Sequence, residues 1–461
     1  MTEQKNDFGQ GSVARNIMAM AVPMTVAQIL NVLYNIVDRM YIGHIPGESS
    51  LALTGVGLTF PIISMVTAFS NLYGMGGAPL CSIARGEGKL DRAEAIMENA
   101  FWMLAGTGVI LTLFFLALQR PLLYAFGASG ETIGYATSYL TIYLLGSLFV
   151  MIGLGMNPFI NAQGFGTTGM ITVALGAVIN LILDPVFIFV LHMGVQGAAL
   201  ATIFSQFCSS VWVMKFLTGK KAILHLHLKR PKLDFTLCRQ IVSLGTSSFV
   251  MNFTNSVVQI ACNRQLQIYG GDLYVGVMTI LNSIREVLVM PVTGLTNGAQ
   301  PVLSFNYGAH KNGRVKQGIR FTTIICILYT CLAWALTLLF PGFFIRIFNE
   351  EAELIQAGVG AMHIYFFGFC FMALQFSGQA VFVGLGQAKY AVFFSLLRKV
   401  VIVVPLTFLL PLIPGVGMYG VFLAEPISNV LGGCACFFTM IAVIWRRKLR
   451  EDGNPAQAGA G

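Results

Sequence analysis

Polar and acidic side chains interrupt the first apolar stretch of this sequence at helical spacing. Gln28, Asn31, Asn35 and Asp38 follow one another at steps of three, four and three residues. Residues at those steps lie on one face of an α-helix, so the four side chains form a stripe that includes a carboxylate. An acid within an apolar segment is costly unless it meets a partner or water, which makes Asp38 a candidate functional group.

Two later apolar stretches carry similar pairs of polar residues. Asn180 and Asp184 are four residues apart, as are Thr202 and Gln206, so each pair shares a helix face. Carboxylate, amide and hydroxyl oxygens are the ligands that a small hard cation prefers, and a buried carboxylate can equally take up a proton. The residues themselves do not choose between Na⁺ and H⁺.

The two acids also have a structural interpretation. Asp38 can pair with Arg39 or Arg264, and Asp184 can bond a backbone amide freed by Pro185. Two acids amid polar stripes exceed what a helix bundle needs to hold its helices together, and this favours a role in ion binding.

The composition places these residues in a membrane. Hydrophobic residues make up 56% of the 461 residues and charged residues only 10%, which lies outside the range of soluble domains. Apolar runs of roughly 20 residues can cross a ~30 Å hydrocarbon core. We predict an all-α integral membrane protein with about twelve spans, at 16–43, 53–80, 96–118, 132–156, 168–191, 195–218, 241–268, 275–303, 319–341, 358–383, 390–411 and 418–445.

The two halves of the chain repeat each other. Matching residues at shifts of 220 to 224 include Gln28 and Asn252, Pro79 and Pro301, Pro185 and Pro405, and Gly197 and Gly420. Six helices in each half is an even number, so both halves enter the membrane in the same orientation, as two six-helix lobes of a parallel pseudo-two-fold repeat. We predict an N-terminal lobe at 1–218, a basic cytoplasmic linker at 219–240, a C-terminal lobe at 241–445 and a cytoplasmic tail at 446–461.

Lysine and arginine predict the orientation. With the N-terminus inside, the inner segments hold 21 Lys and Arg residues, whereas the outer loops hold only Arg120 and Arg346. We therefore expect a multi-pass protein of a cell membrane with both termini cytoplasmic. The same split explains the net charge of +9 without a nucleic-acid partner.

The second half keeps the polar stripe but not the acids. Asn252, Asn255 and Gln259 repeat the stripe of the first helix, whereas Cys262 stands at the position of Asp38. The two halves are therefore chemically different.

Other charges appear in the second half instead. Val404 matches Asp184, Glu425 matches Thr202, and Glu286 lies one turn after Asn282; we interpret Arg285, Arg398 and Lys399 as snorkelling or paired with acids. For Glu286 and Glu425 two interpretations stay open, recognition of a cationic substrate and structural ion pairing.

No cofactor or metal-binding motif is apparent. Most of the nine cysteines lie inside apolar runs, Cys434 and Cys436 lack a second cluster, and His225 and His227 belong to the basic linker. No Walker A sequence is present. We expect no disulfide, no cofactor, no enzymatic activity and no metal other than a coupling ion.

Four segments resemble signatures of the MATE (multidrug and toxic compound extrusion) family of transporters, in its bacterial type. They are VDRMYIG at 37–43, AQG at 162–164 leading to INLILDPVFI at 179–188, GVQGAALAT at 194–202 and GAQP at 298–301. The resemblance covers nearly the whole chain, and the block at 179–188 is its most specific part.

The resemblance implies export of cationic or lipophilic drugs and toxic organic compounds in exchange for Na⁺ or H⁺, by alternating access, in the bacterial cytoplasmic membrane. Carried over by position, the cation-coupling cluster is Asp38, Asn180, Asp184 and Thr202, and Na⁺ would bind there. The residues expected to line the substrate cavity are Asn31, Asn35, Asn157, Gln206, Asn255, Asn282, Glu286 and Glu425. We expect a monomer whose partners are the lipid bilayer and small organic molecules.

Two other transporter classes share the general architecture. A lipid-linked oligosaccharide flippase of the same superfamily would need a cavity rich in Arg and Lys, whereas this chain offers few such residues in mid-membrane. A major-facilitator transporter would carry a charged motif between its second and third helices, and the loop from Arg85 to Lys89 fits the MATE pattern better.

Overall fold

The computed structural model describes residues 7–45, 49–228, 233–348 and 351–449. Every regular element in those ranges is a helix, which confirms the all-α prediction. Linker residues 229–232 and the tail beyond Leu449 lie outside the described residues.

The chain forms two compact units. The first unit includes Val22–Arg85 and Lys89–Phe249, and the second includes Phe8–Ala21, Gly86–Gly88 and Val250 onward. Each unit has its own core of buried apolar side chains.

Eight helices precede the linker. They are α1 Val13–Ile42, α2 Ser49–Gly57, α3 Phe60–Gly86, α4 Leu90–Ala125, α5 Ile133–Leu145, α6 Ser147–Ala162, α7 Gly166–Pro185 and α8 Gly194–Leu217. A π-helical stretch, Val186–Val190, follows α7.

Eight more helices follow the linker. They are α9 Phe235–Gly308, α10 Asn312–Leu339, α11 Pro341–Arg346, α12 Ala352–Tyr365, α13 Met372–Gly384, α14 Ala388–Leu396, α15 Val404–Leu409 and α16 Tyr419–Met440. Short 3₁₀ turns at Phe369–Phe371 and Leu410–Leu412 and π-helical stretches at Leu397–Val403 and Ile441–Lys448 lie between or after them.

The helices in the described part of the chain account for twelve membrane spans. Nine helices are long and apolar enough to cross a membrane. One of them, α9, has 74 residues and breaks at Gly271, whose φ of 68° and ψ of −168° are not helical, so it supplies two spans. Two more spans are bent pairs, α5 with α6 at 56° and α12 with Phe369–Gly384 at 48°.

Two of the three π-helical stretches in the described residues adjoin prolines at matching places in the two halves. Val186–Val190 directly follows Pro185, and Leu397–Val403 ends two residues before Pro405. Proline donates no backbone hydrogen bond and disturbs the regular ladder around it, which favours such a local change of pitch. Each stretch lies beside the charged residues of its own half.

The linker is tied to the first unit through its backbone. The side-chain oxygen Oε1 of Gln163 accepts hydrogen bonds from the backbone N–H groups of Ile223 at 2.8 Å and Leu224 at 2.9 Å. Oε1 of Glu94 accepts from the N–H of His225 at 2.8 Å. These three hydrogen bonds hold the described part of the basic linker against the first unit.

Two glycines allow α3 and α9 to meet at backbone distance in the first unit. A Cβ on Gly76 would lie 2.8 Å from the backbone nitrogen of Gly245, and a Cβ on Gly245 would overlap the carbonyl oxygen of Leu72. Such close approach between helices is available only to residues with little or no side chain.

We expect Gly245→Ala to destabilise the protein by about 1–3 kcal/mol or more, because the added methyl group has no room beside Leu72. Gly106→Ala in α4 is the matched control, since nothing lies within 4 Å of a Cβ at that exposed position. The measurement is the melting temperature of the detergent-solubilised protein, followed by size-exclusion chromatography after heating. Equal melting temperatures for the two variants would contradict the contact.

Candidate functional site

Asp38 of α1 and Asp184 of α7 lie side by side in the first unit. Their carboxyl groups are close enough to form a hydrogen bond with each other. Oδ1 of Asp38 and Oδ2 of Asp184 are buried and have no hydrogen-bond partner among the described residues. An ionised carboxylate only accepts hydrogen bonds, so two adjacent carboxyl groups need a proton or a cation between them.

Asn180 and Thr202 adjoin this pair of acids. Nδ2 of Asn180 donates to Oδ1 of Asp184 at 3.2 Å and lies 3.5 Å from Oγ1 of Thr202. Asp184 is 0% exposed, Asn180 1% and Thr202 5%. The four residues predicted to form one cluster are therefore neighbours, and they bring carboxylate and hydroxyl oxygens together with the N–H donors of the Asn180 amide.

Tyrosines that the sequence analysis did not select surround the acids. Tyr34 of α1 and Tyr139 of α5 both lie near Asp38, and the Tyr139 hydroxyl lies near Thr202. The ring of Tyr143 stacks on that of Tyr139 with centroids 6.5 Å apart. Helical spacing could have revealed them, because Tyr34 lies one turn before Asp38 and the other two are one turn apart.

Asn157 lies apart from this cluster. Its Nδ2 donates to the carbonyl oxygen of Gly169 at 3.3 Å. Gly169 precedes Asn180 in α7 by eleven residues, or about 16 Å along the helix axis. Asn157 is therefore placed at another level of the same unit.

The remaining polar residues predicted in the first half are less enclosed. Asn31 and Asn35 are both exposed, and Nδ2 of Asn35 donates to the carbonyl oxygen of Asn31 at 2.6 Å. Gln206 is partly buried in α8, with Oε1 3.7 Å from the place a Cβ would occupy on Gly153. The stripe on α1 thus runs from uncovered amides to a partly buried acid.

In the second unit, three polar side chains form a chain of hydrogen bonds. Nδ2 of Asn282 donates to Oε1 of Gln259 at 2.9 Å, and the Tyr365 hydroxyl donates to Oδ1 of Asn282 at 2.9 Å. These residues line one pocket together with Asn255, which is exposed. The predicted cavity residues Asn255 and Asn282 therefore face the same space.

Glu425 of α16 meets three cationic side chains. Nζ of Lys399 lies 2.9 Å from Oε1 and 3.1 Å from Oε2 of Glu425. Nη1 of Arg285 lies 3.2 Å, and Nη2 of Arg398 3.4 Å, from the same Oε1. Glu425 was predicted either to recognise a cationic substrate or to form structural ion pairs, and the structure contains the ion pairs.

Glu286 differs from Glu425 in its surroundings. It is exposed on α9 and interacts electrostatically with its neighbour Arg285. The sequence predicts snorkelling or an acid partner for each of Arg285, Arg398 and Lys399 separately, whereas the structure brings all three around one carboxylate. A signal was present in the adjacency of Arg398 and Lys399, because two cations in an apolar segment need acids nearby.

The same pair of helices meets in each half with different chemistry. Where Asp38 and Asp184 lie together in the first unit, the second unit has Cys262, whose Sγ lies 3.8 Å from Oγ1 of Thr407. The second unit therefore keeps the helix contact and loses both acids.

Comparison with known proteins gives a consistent result. The family model MatE matches residues 23–186 and 247–409 of this chain. The multidrug export protein MepA of Staphylococcus haemolyticus is 25% identical over 452 residues, which cover 98% of each chain. The protein of the same name from Staphylococcus saprophyticus is 26% identical over 457 residues, again 98% of each.

Solved structures share this fold. A crystal structure of a MATE protein in complex with MaD3S matches with a TM-score of 0.88 at 21% identity, covering 94% of this chain and 97% of that one. An outward-facing multidrug resistance MATE family transporter of the MOP superfamily matches with a TM-score of 0.88 at 22% identity, covering 96% and 97%. At such identities the likeness establishes the fold alone.

The Asn180 amide links the acid to α8, and its removal tests that role. We expect Asn180→Leu to destabilise the protein by about 1–3 kcal/mol, because Oδ1 of the buried Asp184 then loses its donor. Asn31→Leu is the control, since Asn31 is exposed and its side chain reaches only Asn35 of its own helix, at 3.4 Å. Thermal unfolding in detergent measures both, and an Asn180→Leu variant as stable as Asn31→Leu would argue against the link.

Proposed function

Because this chain belongs to the MatE family, we propose that it exports cationic or lipophilic drugs and toxic organic compounds in exchange for Na⁺ or H⁺. The chain is a multi-pass membrane protein with apolar helices throughout. Its similarity to multidrug export proteins supports drug export. The observation that carries ion coupling is the contact between Asp38 and Asp184, where one buried oxygen of each carboxyl group lacks a hydrogen-bond partner among the described residues.

The coupling ion binds at Asp38 and Asp184 in this proposal. A proton bridges the two carboxyl groups directly, whereas Na⁺ also takes the hydroxyl oxygen of Thr202 and, once the amide has rotated, the oxygen of Asn180. Without Na⁺, Nδ2 of Asn180 donates to Asp184 at 3.2 Å and to Thr202 at 3.5 Å. Either ion neutralises charge in a buried place, which repays the cost of keeping the acids out of water. The site then differs in net charge between its loaded and empty states.

Competition between ion and drug converts that difference into transport. The ion binds from outside and lowers the affinity for drug, and after the ion leaves inside, drug binds again. Linkage requires that drug lowers the affinity for the ion by the same factor. One charge that moves through 100 mV releases ~2.3 kcal/mol, enough for about a 50-fold gradient of a neutral drug.

The first helix is the element that we propose to respond. Asp38 lies near the C-terminal end of this helix, and the exposed amides of Asn31 and Asn35 share its polar face. Pro23 interrupts the backbone hydrogen bonds of the same helix. A proline inside a helix lowers the resistance to bending. Exposed amides are unfavourable against lipid, so we propose that this face lines the aqueous path of the drug.

We assign the acids of the second unit different parts. Glu286 is exposed and can meet the positive charge of a cationic drug, whereas Glu425 is held by three cations. Asn255 and Asn282 offer neutral polar contacts to an uncharged, lipophilic drug.

We propose that the protein lies in a bacterial cytoplasmic membrane with both termini in the cytoplasm. The excess of Lys and Arg in the inner segments, 21 against 2, supports cytoplasmic termini in a bacterial cytoplasmic membrane. We propose that a single chain, with no cofactor beyond the coupling ion, carries out the cycle.

Efflux of a fluorescent cationic dye from proteoliposomes tests the coupling under imposed Na⁺ or pH gradients. Asp38→Asn and Asp184→Asn are each expected to slow gradient-driven efflux about tenfold or more, because the neutral amide no longer exchanges the ion that drives the cycle. Wild type is expected to respond to only one of the two gradients, which identifies the ion.

Asp91→Asn provides the matched control for loss of a carboxylate. Asp91 is exposed in the first turn of α4, outside the cluster, so this variant should export as fast as wild type. If both cluster variants also kept the wild-type response to the gradient, ion coupling at Asp38 and Asp184 would be wrong.

A further inference from the structure

The ion pairs around Glu425 leave positive charge unbalanced. Arg285, Arg398 and Lys399 all reach one carboxylate, at 2.9 to 3.4 Å. Glu286 also interacts with Arg285. Even with that second acid counted, the cationic side chains outnumber the carboxylates by one.

The hydrogen-bond donors of this cluster are also in excess. Each arginine carries five N–H donors and the lysine three, whereas a carboxylate has only two oxygens. Arg398 uses a second donor on Oδ1 of Asn429 at 3.0 Å. Arg285 is the least enclosed of the three, with 25% of its side chain exposed, and Nη1 is its contact to Glu425. Donors therefore remain for a further acceptor.

The unused donors face a pocket. Arg285, Lys399 and Glu425 line it together with Asn282 and Tyr365. Apolar side chains complete its wall, namely Val258, Met278, Val403 and Val421. Cationic and apolar side chains thus line the same pocket.

A buried positive charge without a counter-charge is unfavourable in a medium of low dielectric constant. An entering anion would supply the missing charge and accept the unused donors, and bonds between charged partners are the stronger kind. A second cation would instead meet three like charges before it reached Glu425. The electrostatics of the cavity therefore oppose the class of ligand that a lone glutamate would attract.

We propose that this cavity binds the oxyanion of an amphipathic organic acid, with the acid group between Arg285 and Lys399 and the apolar part against the valine and methionine side chains. The site is separate from the Asp38 and Asp184 cluster and takes a ligand of opposite charge. Its occupancy can be measured without any ion gradient, so a failure here leaves the proposed ion coupling untouched.

Three probes of one size test the charge preference by isothermal titration calorimetry on the purified full-length protein. They are 2-naphthoate, its neutral amide, and naphthylmethylammonium. We expect naphthoate to bind about tenfold more tightly than the amide, because only the carboxylate forms charge-assisted hydrogen bonds, and the ammonium to bind most weakly. Equal binding of acid and amide, or tightest binding of the ammonium, would overturn the proposal.

Substitutions of Lys399 and of Glu425 should change the affinity for naphthoate in opposite directions. Lys399→Met should abolish the preference for naphthoate over the amide, whereas Lys399→Arg should keep it. Lys389→Met, at an exposed lysine of the preceding helix α14, is the matched control and should change nothing. Glu425→Gln should tighten naphthoate binding, because it removes the competing carboxylate.

The same variants decide between the two ligand classes. If Glu425 receives an organic cation, Glu425→Gln loses ammonium binding and leaves naphthoate unaffected, which contradicts the oxyanion site. Should Glu425→Gln not fold, the comparison of acid and amide on wild type and on Lys399→Met still settles the matter. Unchanged selectivity in Lys399→Met would count against the proposal.

The oxyanion can come from a soluble acid or from a lipid headgroup, and nanodiscs distinguish the two. Naphthoate that is displaced by phosphatidylglycerol but not by phosphatidylcholine assigns the site to a lipid phosphate. Naphthoate that binds equally in both membranes assigns it to a soluble organic acid. Both results support an oxyanion site, whereas loss of the acid preference in both membranes would refute it.

Discussion

Hydrocarbon offers no hydrogen bonds, so each buried polar group of this protein must find its partner within the chain. Glu425 finds its partners in Lys399 and two arginines. Gln259, Asn282 and Tyr365 find theirs in one another, through a chain of hydrogen bonds. The pair of acids in the first unit does not, because each presents a buried oxygen without a partner among the described residues. The proposal that a proton or cation supplies the missing contact rests on the adjacency of these two acids.

Duplication supplied the same helix contacts twice, and a few substitutions then separated their chemistry. The contact of Asp38 with α7 recurs in the second unit as Cys262 beside Thr407, which are uncharged. Thr202 beside Asn180 recurs as Glu425 beside Lys399, which are ionic. A helix bundle tolerates both changes because the backbone bonds lie inside each helix and do not depend on the side chains that project between them.

Spacing predicted the helices and the stripe because both are local properties of the chain. It failed at breaks that depend on backbone conformation: the predicted span 132–156 is two helices bent by 56° between Leu145 and Ser147. It failed again at Glu425, since Arg285 lies 140 residues away and no periodicity tells which helix faces meet. The proximity of Asp38 and Asp184 was expected only through the family resemblance, and the tyrosines around them were overlooked although their spacing was regular.

The charge of the exported molecule decides how much the membrane potential contributes to export. When one cation enters and a cationic drug leaves, the two charge movements cancel and only the ion gradient drives the exchange. With a neutral drug, one net charge crosses the membrane in each cycle, which releases ~2.3 kcal/mol per 100 mV. With an anionic drug, two net charges cross and the energy is about twice as large. A protein with paired acids at Asp38 and a cationic cavity at Lys399 would therefore gain most from the potential when its cargo is an organic acid. The opposite signs of the two sites then reinforce each other, since both favour movement of charge in the direction that the potential drives.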